Sequence, residues 1–290
     1  MLTRQPQQSF NSQYARLTAS RIWYPLHGDA NAKITGQPNL DNTTTAAGNW
    51  SVPGYYIYPT ANATDVWNSG SSAELDAVLS MANMKAGDQW IIAHTQLTPH
   101  MTSTGFLWTY GNDGSAESYI ALGQTISETL QVTFRGVGAT SAQAGVNQHN
   151  FSGMEAIPSP GNVRTDIVLS IEAQSATEVL ARIMYRSDGG TLKDTGYSPL
   201  LNVRGNAATA NPGRYSANHA GLTLGGRPTT GWTPANRLIA GNYGSRYGNA
   251  GSGRGLGSFR AGKYAFDSAR QLAVINEIFA KKFEFPEAML

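Results

Sequence analysis

The chain has 290 residues, of which 14% are charged, with a formal net charge of +2 and no cysteine. That length suits one large domain with an appendage and can bury a core without covalent staples. The missing thiols exclude disulfides and cysteine-based zinc sites, and so small a net charge excludes nucleic-acid binding by bulk electrostatics. Gly, Asn, Ser and Thr stand where charge is usual, giving a polar, weakly charged surface suited to an assembly or to exposure outside a cell. The first twenty residues carry no apolar segment of a secretory signal, so export by such a signal is not expected. No run approaches the roughly 18 apolar residues of a spanning helix, so membrane insertion is not expected either.

Residues 1–52 are rich in Gln, Asn, Thr, Gly and Pro, with scattered aromatics at Phe10, Tyr14, Trp23 and Tyr24 and no sustained period. They read as an irregular N-terminal arm, and aromatics in such an arm suit docking on a neighbouring subunit. From residue 53 the chain reads as strands between turn signals. "DQWIIAHTQL" (88–97) is one. "GFLWTYGNDGSAESYIAL" (105–122) is a hairpin around Asn112-Asp113-Gly114, a sequence that favours the left-handed backbone of a tight turn. "TLQVTFRG" (129–136) alternates, with Leu130, Val132 and Phe134 on one side and Gln131, Thr133 and Arg135 on the other. "TDIVLSIEAQ" (165–174) is β-branched. "EVLARIMYRSDGGTLKDTG" (178–196) is a strand, a turn at Asp188-Gly189-Gly190 and a return strand. "AGLTLGGRP" (220–228) and "NRLIAGNYG" (236–244) complete the set.

Two stretches read as helix. "AELDAVLSMANM" (73–84) sets Leu75, Val78, Leu79 and Met81 near one face. "FDSARQLAVINEIFAKKF" (266–283) opens with a Ser268/Gln271 capping box, continues with Leu272, Ile275, Ile278 and Phe279 as an apolar stripe, and ends on Lys281 and Lys282. Many short strands with few helices indicate an all-β, antiparallel jelly-roll β-sandwich over residues 53–290, closed by one short C-terminal helix.

The glycine run "GNYGSRYGNAGSGRGLGSFRAG" (241–262) is the one stretch that suggests a phosphate cradle. A P-loop requires Gly-x-x-x-x-Gly-Lys-Ser/Thr opening a helix. Here no lysine follows in register, the glycines at 251, 253, 255 and 257 alternate, and no strand–helix–strand unit surrounds them. The run therefore reads as a long loop. Its Tyr243, Arg246, Tyr247 and Arg254 are contact candidates, because aromatic and guanidinium groups anchor interfaces. Trp108 and Tyr110, on the first strand of the 105–122 hairpin, are the aromatic candidates for glycan contact.

The order of the elements resembles the concanavalin A-like lectin/glucanase jelly roll in its laminin-G-like form. The resemblance lies in the strand ending in an Asp-Gly turn at Tyr185 to Gly189, the Leu-x-Leu-Gly-Gly strand at Leu222 to Gly226, and "YAFDSARQLAVINEIF" as a closing helix. It covers residues 53–283. Glucanases of this superfamily carry a Glu-x-Asp-x-Glu strand whose alternate carboxylates supply nucleophile and acid/base. The nearest run here is Glu74, Asp76 and then Val78, on a stretch that reads as helix. The resemblance thus implies a sandwich without the hydrolytic pair. Laminin-G-like domains hold calcium through loop aspartates; Asp113, Asp188 and Asp194 match by type, although Asp-Gly turns account for the first two, and no metal or cofactor is assigned. His27, His94, His100, His149 and His219 form no ligand pair or triad, and no Gly-x-Ser-x-Gly elbow occurs.

These features point to a non-enzymatic structural protein of a virion, most naturally a bacteriophage decoration, fibre or adhesion protein. The arm would bind other virion proteins, and the protein would be made in the host cytoplasm. A homo-oligomer is expected. A carbohydrate-binding lectin module for host attachment is the alternative, and a glycoside hydrolase of the same fold ranks last.

Overall fold

The computed structural model describes residues 21–24, 36–42, 67–69, 72–98, 105–111, 119–124, 129–135, 146–151, 163–187, 190–204, 222–224 and 255–264. Two antiparallel seven-stranded sheets dominate them. Sheet A contains β1 (Arg21–Tyr24), β14 (Gly255–Tyr264), β4 (Gln89–Thr98), β9 (Val163–Ala173), β10 (Glu178–Ser187) and β11 (Lys193–Tyr197), in that order, and β12 (Leu201–Asn202) also pairs with β10. Sheet B runs β2 (Asp41–Asn42), β3 (Trp67–Asn68), β13 (Leu222–Leu224), β5 (Gly105–Gly111), β6 (Tyr119–Gln124), β7 (Leu130–Arg135) and β8 (Val146–Asn150).

The sheets face each other over one apolar core. Sheet A contributes Trp90, Ile92, Ile167, Leu169, Ile171, Val179, Ala181 and Ile183, which recur at every second position as a strand with one core face requires. Sheet B contributes Trp108, Tyr110, Ile120, Leu122, Leu130, Val132 and Phe134. Trp108 of β5 meets Phe259 of β14 edge-to-face, with ring centroids 5.8 Å apart, the arrangement that ring quadrupoles favour. The β-sandwich expected from the turn spacing is therefore present.

Parts of both outer faces are buried too. On sheet A, Ile91, Ala93, Val168, Ser170 and Met184 point away from the core yet are buried. On sheet B, Thr109, Tyr119, Ala121, Gln131 and Thr133 are likewise buried. The alternation at 129–136 thus reports the strand correctly, but Gln131 and Thr133 do not face solvent. Gln131 answers its burial by donating to the Asn150 side chain at 2.6 Å, since an unpartnered buried amide is costly.

Helix α1 (Ala73–Leu79) is shorter than the expected 73–84. The Ser72 hydroxyl caps it by accepting from the Leu75 amide, and Leu75, Val78 and Leu79 form the buried stripe. Ser80 ends it in extended conformation, its side chain accepting from the Ala82 amide. Met81 and Met84 are still buried, carried by the turns that follow. The expected helix at 266–283 and strand at 236–244 lie outside the described residues.

Two segments differ in kind from their sequence reading. Inside the expected 1–52 arm, β1 pairs with β14, β2 pairs with β3, and Ile22, Tyr24 and Leu40 belong to the core. These residues are part of the sandwich. Inside the expected 241–262 loop, residues from Gly255 onward form a ten-residue strand flanked by β1 and β4. The register slips between Gly257 and Phe259, where one extra residue on β14 makes a bulge against β4. Glycine in a strand marks such a bulge.

Candidate functional site

Among the described residues the large hydrophobic side chains exposed to solvent are Leu192, Tyr197 and Leu200, all at one edge of sheet A. Trp90, Trp108, Tyr110, Phe134 and Phe259, by contrast, are fully buried. Tyr197 is 43% exposed, so this edge presents an aromatic ring to solvent.

The ring is there because of a β-bulge. On β10, Arg182 and Met184 are two residues apart, while their β11 partners Tyr197 and Asp194 are three apart. Regular pairing would set Gly196 opposite Arg182. The extra residue sets Tyr197 there and leaves Asp194 and Tyr197 on the same outer face, flanking the guanidinium. Gly196 makes the kink with φ +69°, a left-handed conformation that glycine adopts without steric cost. Side chains replace the missing ladder bonds. Thr195 Oγ1 accepts from the Ile183 amide at 3.1 Å, and Ser198 Oγ accepts from the Ala181 amide at 2.9 Å.

Four side chains then form a connected group. Arg182 Nε donates to Asp194 Oδ1 at 2.9 Å, and Nη2 donates to Asp194 Oδ2. This fork geometry fixes the guanidinium in a plane. The same guanidinium lies over the Tyr197 ring, 5.3 Å from its centroid, a cation–π contact. The Tyr197 hydroxyl donates to Glu172 Oε2 at 3.3 Å. The Arg182 hydrogen bond holds the Asp194 carboxyl below the usual aspartate range, helped by the Gly196 amide and opposed by partial burial. Tyr197 titrates above its ordinary value, mainly through desolvation and then through the Glu172 charge. Arg186 and the buried Asp166 form a second pair on the same face at 3.5 Å. Chemically the group offers an exposed ring, carboxylate oxygens as acceptors and a pinned cation. None of its members is an unengaged nucleophile.

The residues singled out from sequence are placed differently. Trp108 and Tyr110 are in the core at 0% exposure; they hold the sheets together and do not meet solvent. Tyr243, Arg246, Tyr247 and Arg254 lie outside the described residues. Glu74 and Asp76 are on α1, where a two-residue spacing turns side chains to different sides. Asp194 is engaged by Arg182, while Asp113 and Asp188 lie outside the described residues. His94 is buried on β4, and His149 of β8 packs edge-to-face on Phe151 at 4.8 Å with its pKa lowered by burial. His27, His100 and His219 lie outside the described residues. No cluster of His, Asp or Glu suited to a metal occurs among the described residues.

Sequence reasoning missed Arg182, Tyr197 and Glu172. Strand pairing alone brings them together, and the bulge that selects Tyr197 over Gly196 has a faint signal, the isolated glycine in "KDTGY".

No family model matches the chain, and no curated protein matches it. Among solved structures, it is similar to the CBM40 module of the Ruminococcus gnavus IT-sialidase bound to α2,6-sialyllactose, at 14% identity and TM-score 0.37, covering 65% of this chain and 84% of that one. It is similar to domains LG4-5 of the mouse laminin α1 chain, at 15% identity and TM-score 0.33, covering 80% of this chain and 47% of that one. It is also similar to tailspike protein 2 of an Escherichia coli O157:H7 bacteriophage, at 12% identity and TM-score 0.37, covering 84% of this chain and 28% of that one.

Proposed function

We propose that this chain is a non-catalytic recognition module, a virion structural or adhesion protein whose sandwich presents the β10–β11 edge to a surface glycan. The observation that carries the recognition reading is the exposed Tyr197 ring, held by Arg182 and Glu172 at an edge that also exposes Leu192 and Leu200. A fixed ring beside carboxylate acceptors suits a sugar, which offers C–H groups to a π face and hydroxyls to the acceptors. The low charge and the Gly/Asn/Ser/Thr-rich surface support a place in a particle.

The non-catalytic reading rests on the engagement of the carboxylates. Asp194 accepts from Arg182, and Glu172 accepts from Tyr197. Attachment to other virion proteins is assigned to residues 1–20, ahead of β1, and self-association is expected with it. A glycan array tests recognition, with binding expected to fall on Tyr197→Ala; silence across the array rejects it. Mass spectrometry of purified virions tests the location, and a chain lacking residues 1–20 is expected to stay folded yet leave the particle.

A further inference from the structure

We infer that the β10–β11 edge selects neutral sugars and discriminates against acidic ones, an inference that rests on the recognition reading above. The connected group around Tyr197 contains one guanidinium, Arg182, against two carboxylates, Glu172 and Asp194. An anionic sugar is bound by a cation whose donors are open to it, most effectively by the arginine fork. Here the Nε/Nη2 side of that fork is already occupied. Nε and Nη2 of Arg182 both point at Asp194, and the guanidinium is laid over the Tyr197 ring. A second carboxylate arriving from a ligand would be left the remaining Nη donors of a cation whose charge Asp194 already offsets, and would meet the Glu172 charge nearby. The neighbouring cation, Arg186, is directed at Asp166.

A neutral ring meets none of these obstacles. Tyr197 offers the part of its ring that Arg182 leaves uncovered. The Tyr197 hydroxyl spends its proton on Glu172 and keeps an acceptor lone pair, and the Glu172 carboxylate has further acceptor sites. These are acceptors for sugar hydroxyl donors. Beside them Gly196 opens the surface, since a Cβ placed there would meet no atom within 4 Å. Leu200, 55% exposed next to β12, adds apolar surface to the same edge.

The full chain is titrated with matched oligosaccharides by calorimetry or NMR, one set neutral and one carrying uronate or sialate. Neutral sugars are expected to bind, acidic counterparts to bind roughly tenfold more weakly, and Tyr197→Ala to weaken neutral binding by roughly tenfold. Asp194→Asn frees Arg182 and is expected to move the preference toward the acidic set, with circular dichroism confirming the fold. Stronger binding of the acidic set by the native chain, lost in Tyr197→Ala, overturns the selectivity and leaves the recognition edge standing. Absence of binding by both sets, or binding indifferent to Tyr197→Ala, overturns the recognition edge and the selectivity together.

Discussion

The Trp90 indole N–H donates a 2.9 Å hydrogen bond to the Val78 carbonyl. Val78 is in the last turn of α1, where carbonyls have no partner within the helix. The bond therefore completes the end of α1 with a side chain from sheet A, and both groups are buried. Lys263 of β14 lies over the other side of this joint, 5.1 Å from the Trp90 ring centroid, and pairs with Asp88 at 2.9 Å. Helix, β4 and β14 are thus tied at one point. Trp90→Phe keeps most of the apolar volume and removes the donor, leaving a buried carbonyl unpaired. The expected loss is about 1–3 kcal/mol, read from the urea midpoint at unchanged m-value.

Strand β1 is a second place where a short segment holds a large share of the fold. Ile22 and Tyr24 are buried in the core, and the Tyr24 hydroxyl donates to the Pro38 carbonyl at 2.7 Å. Burying a side chain of this size is worth about 1.5–3 kcal/mol, against a total stability on the order of 5–15 kcal/mol. Removing residues 1–24 is expected to unfold the sandwich or leave it marginal at room temperature, seen as loss of the cooperative thermal transition. Tyr24→Phe removes only the hydrogen bond to Pro38 and is expected to cost about 1 kcal/mol.

Trp108 is the clearest case of an aromatic whose role the sequence leaves open. It is fully buried and stacks edge-to-face on Phe259 of the opposite sheet. Trp108→Ala is expected to cost about 3–5 kcal/mol as a cavity opens between the sheets, measured by chemical denaturation. A loss of ligand binding in that variant reports unfolding. Tyr197→Ala is the informative substitution for the surface.

Strands with β-branched or alternating residues were legible because burial on one face leaves a period of two. The segments at 89–98, 105–111, 119–124, 130–135 and 163–187 fall where that pattern sets them. Several elements escaped, among them β8 with its polar VNQHN sequence, β14 and β1. Strand β14 is written in glycine, serine and arginine, whose propensities argue for a loop. Its place between β1 and β4 supplies the ladder bonds that override propensity. Strand β1 is four residues long, too short to display a period. The β10–β11 edge was illegible for a different reason: Glu172, Arg182 and Tyr197 are ten and fifteen positions apart, and only the pairing of three strands brings them together.

Asp76 gives a pH signature. Burial raises its carboxyl from the ordinary aspartate value to about 6. The folded state therefore holds this proton more tightly than the unfolded state, and stability from this residue rises as pH falls through 6 toward the ordinary value. Asp194 acts in the opposite sense below that window, because Arg182 lowers its value. Its contribution is present at neutral pH and is lost on strong acidification. Both groups are partly exposed, so solvent screening reduces each effect. Asp76→Asn is expected to raise the melting temperature at pH 7–8 and to lose that advantage near pH 4. A constant offset across the range would assign the effect to something other than titration.

Gly196 links the stability of the edge to its use. Its φ of +69° lets β11 absorb one extra residue and turn Tyr197 toward Arg182. A Cβ there would meet no neighbour within 4 Å, so substitution tests the backbone conformation and not a clash. Gly196→Ala is expected to cost about 1 kcal/mol, the penalty of a left-handed L-residue, and Gly196→Asn less, because asparagine tolerates that region. If Ala instead relaxes the bulge, the register returns to regular pairing and residue 196 takes the place opposite Arg182. Tyr197 then leaves Arg182, which lowers its value, and also leaves the partial burial and the Glu172 charge, which raise it more, so the tyrosine absorption titrates nearer its ordinary value. Spectrophotometric titration of Gly196→Ala beside Gly196→Asn separates the two outcomes. A small stability loss with an unchanged tyrosine titration shows that the bulge persists at a conformational cost. A shifted titration shows that glycine is what holds Tyr197 beside Arg182.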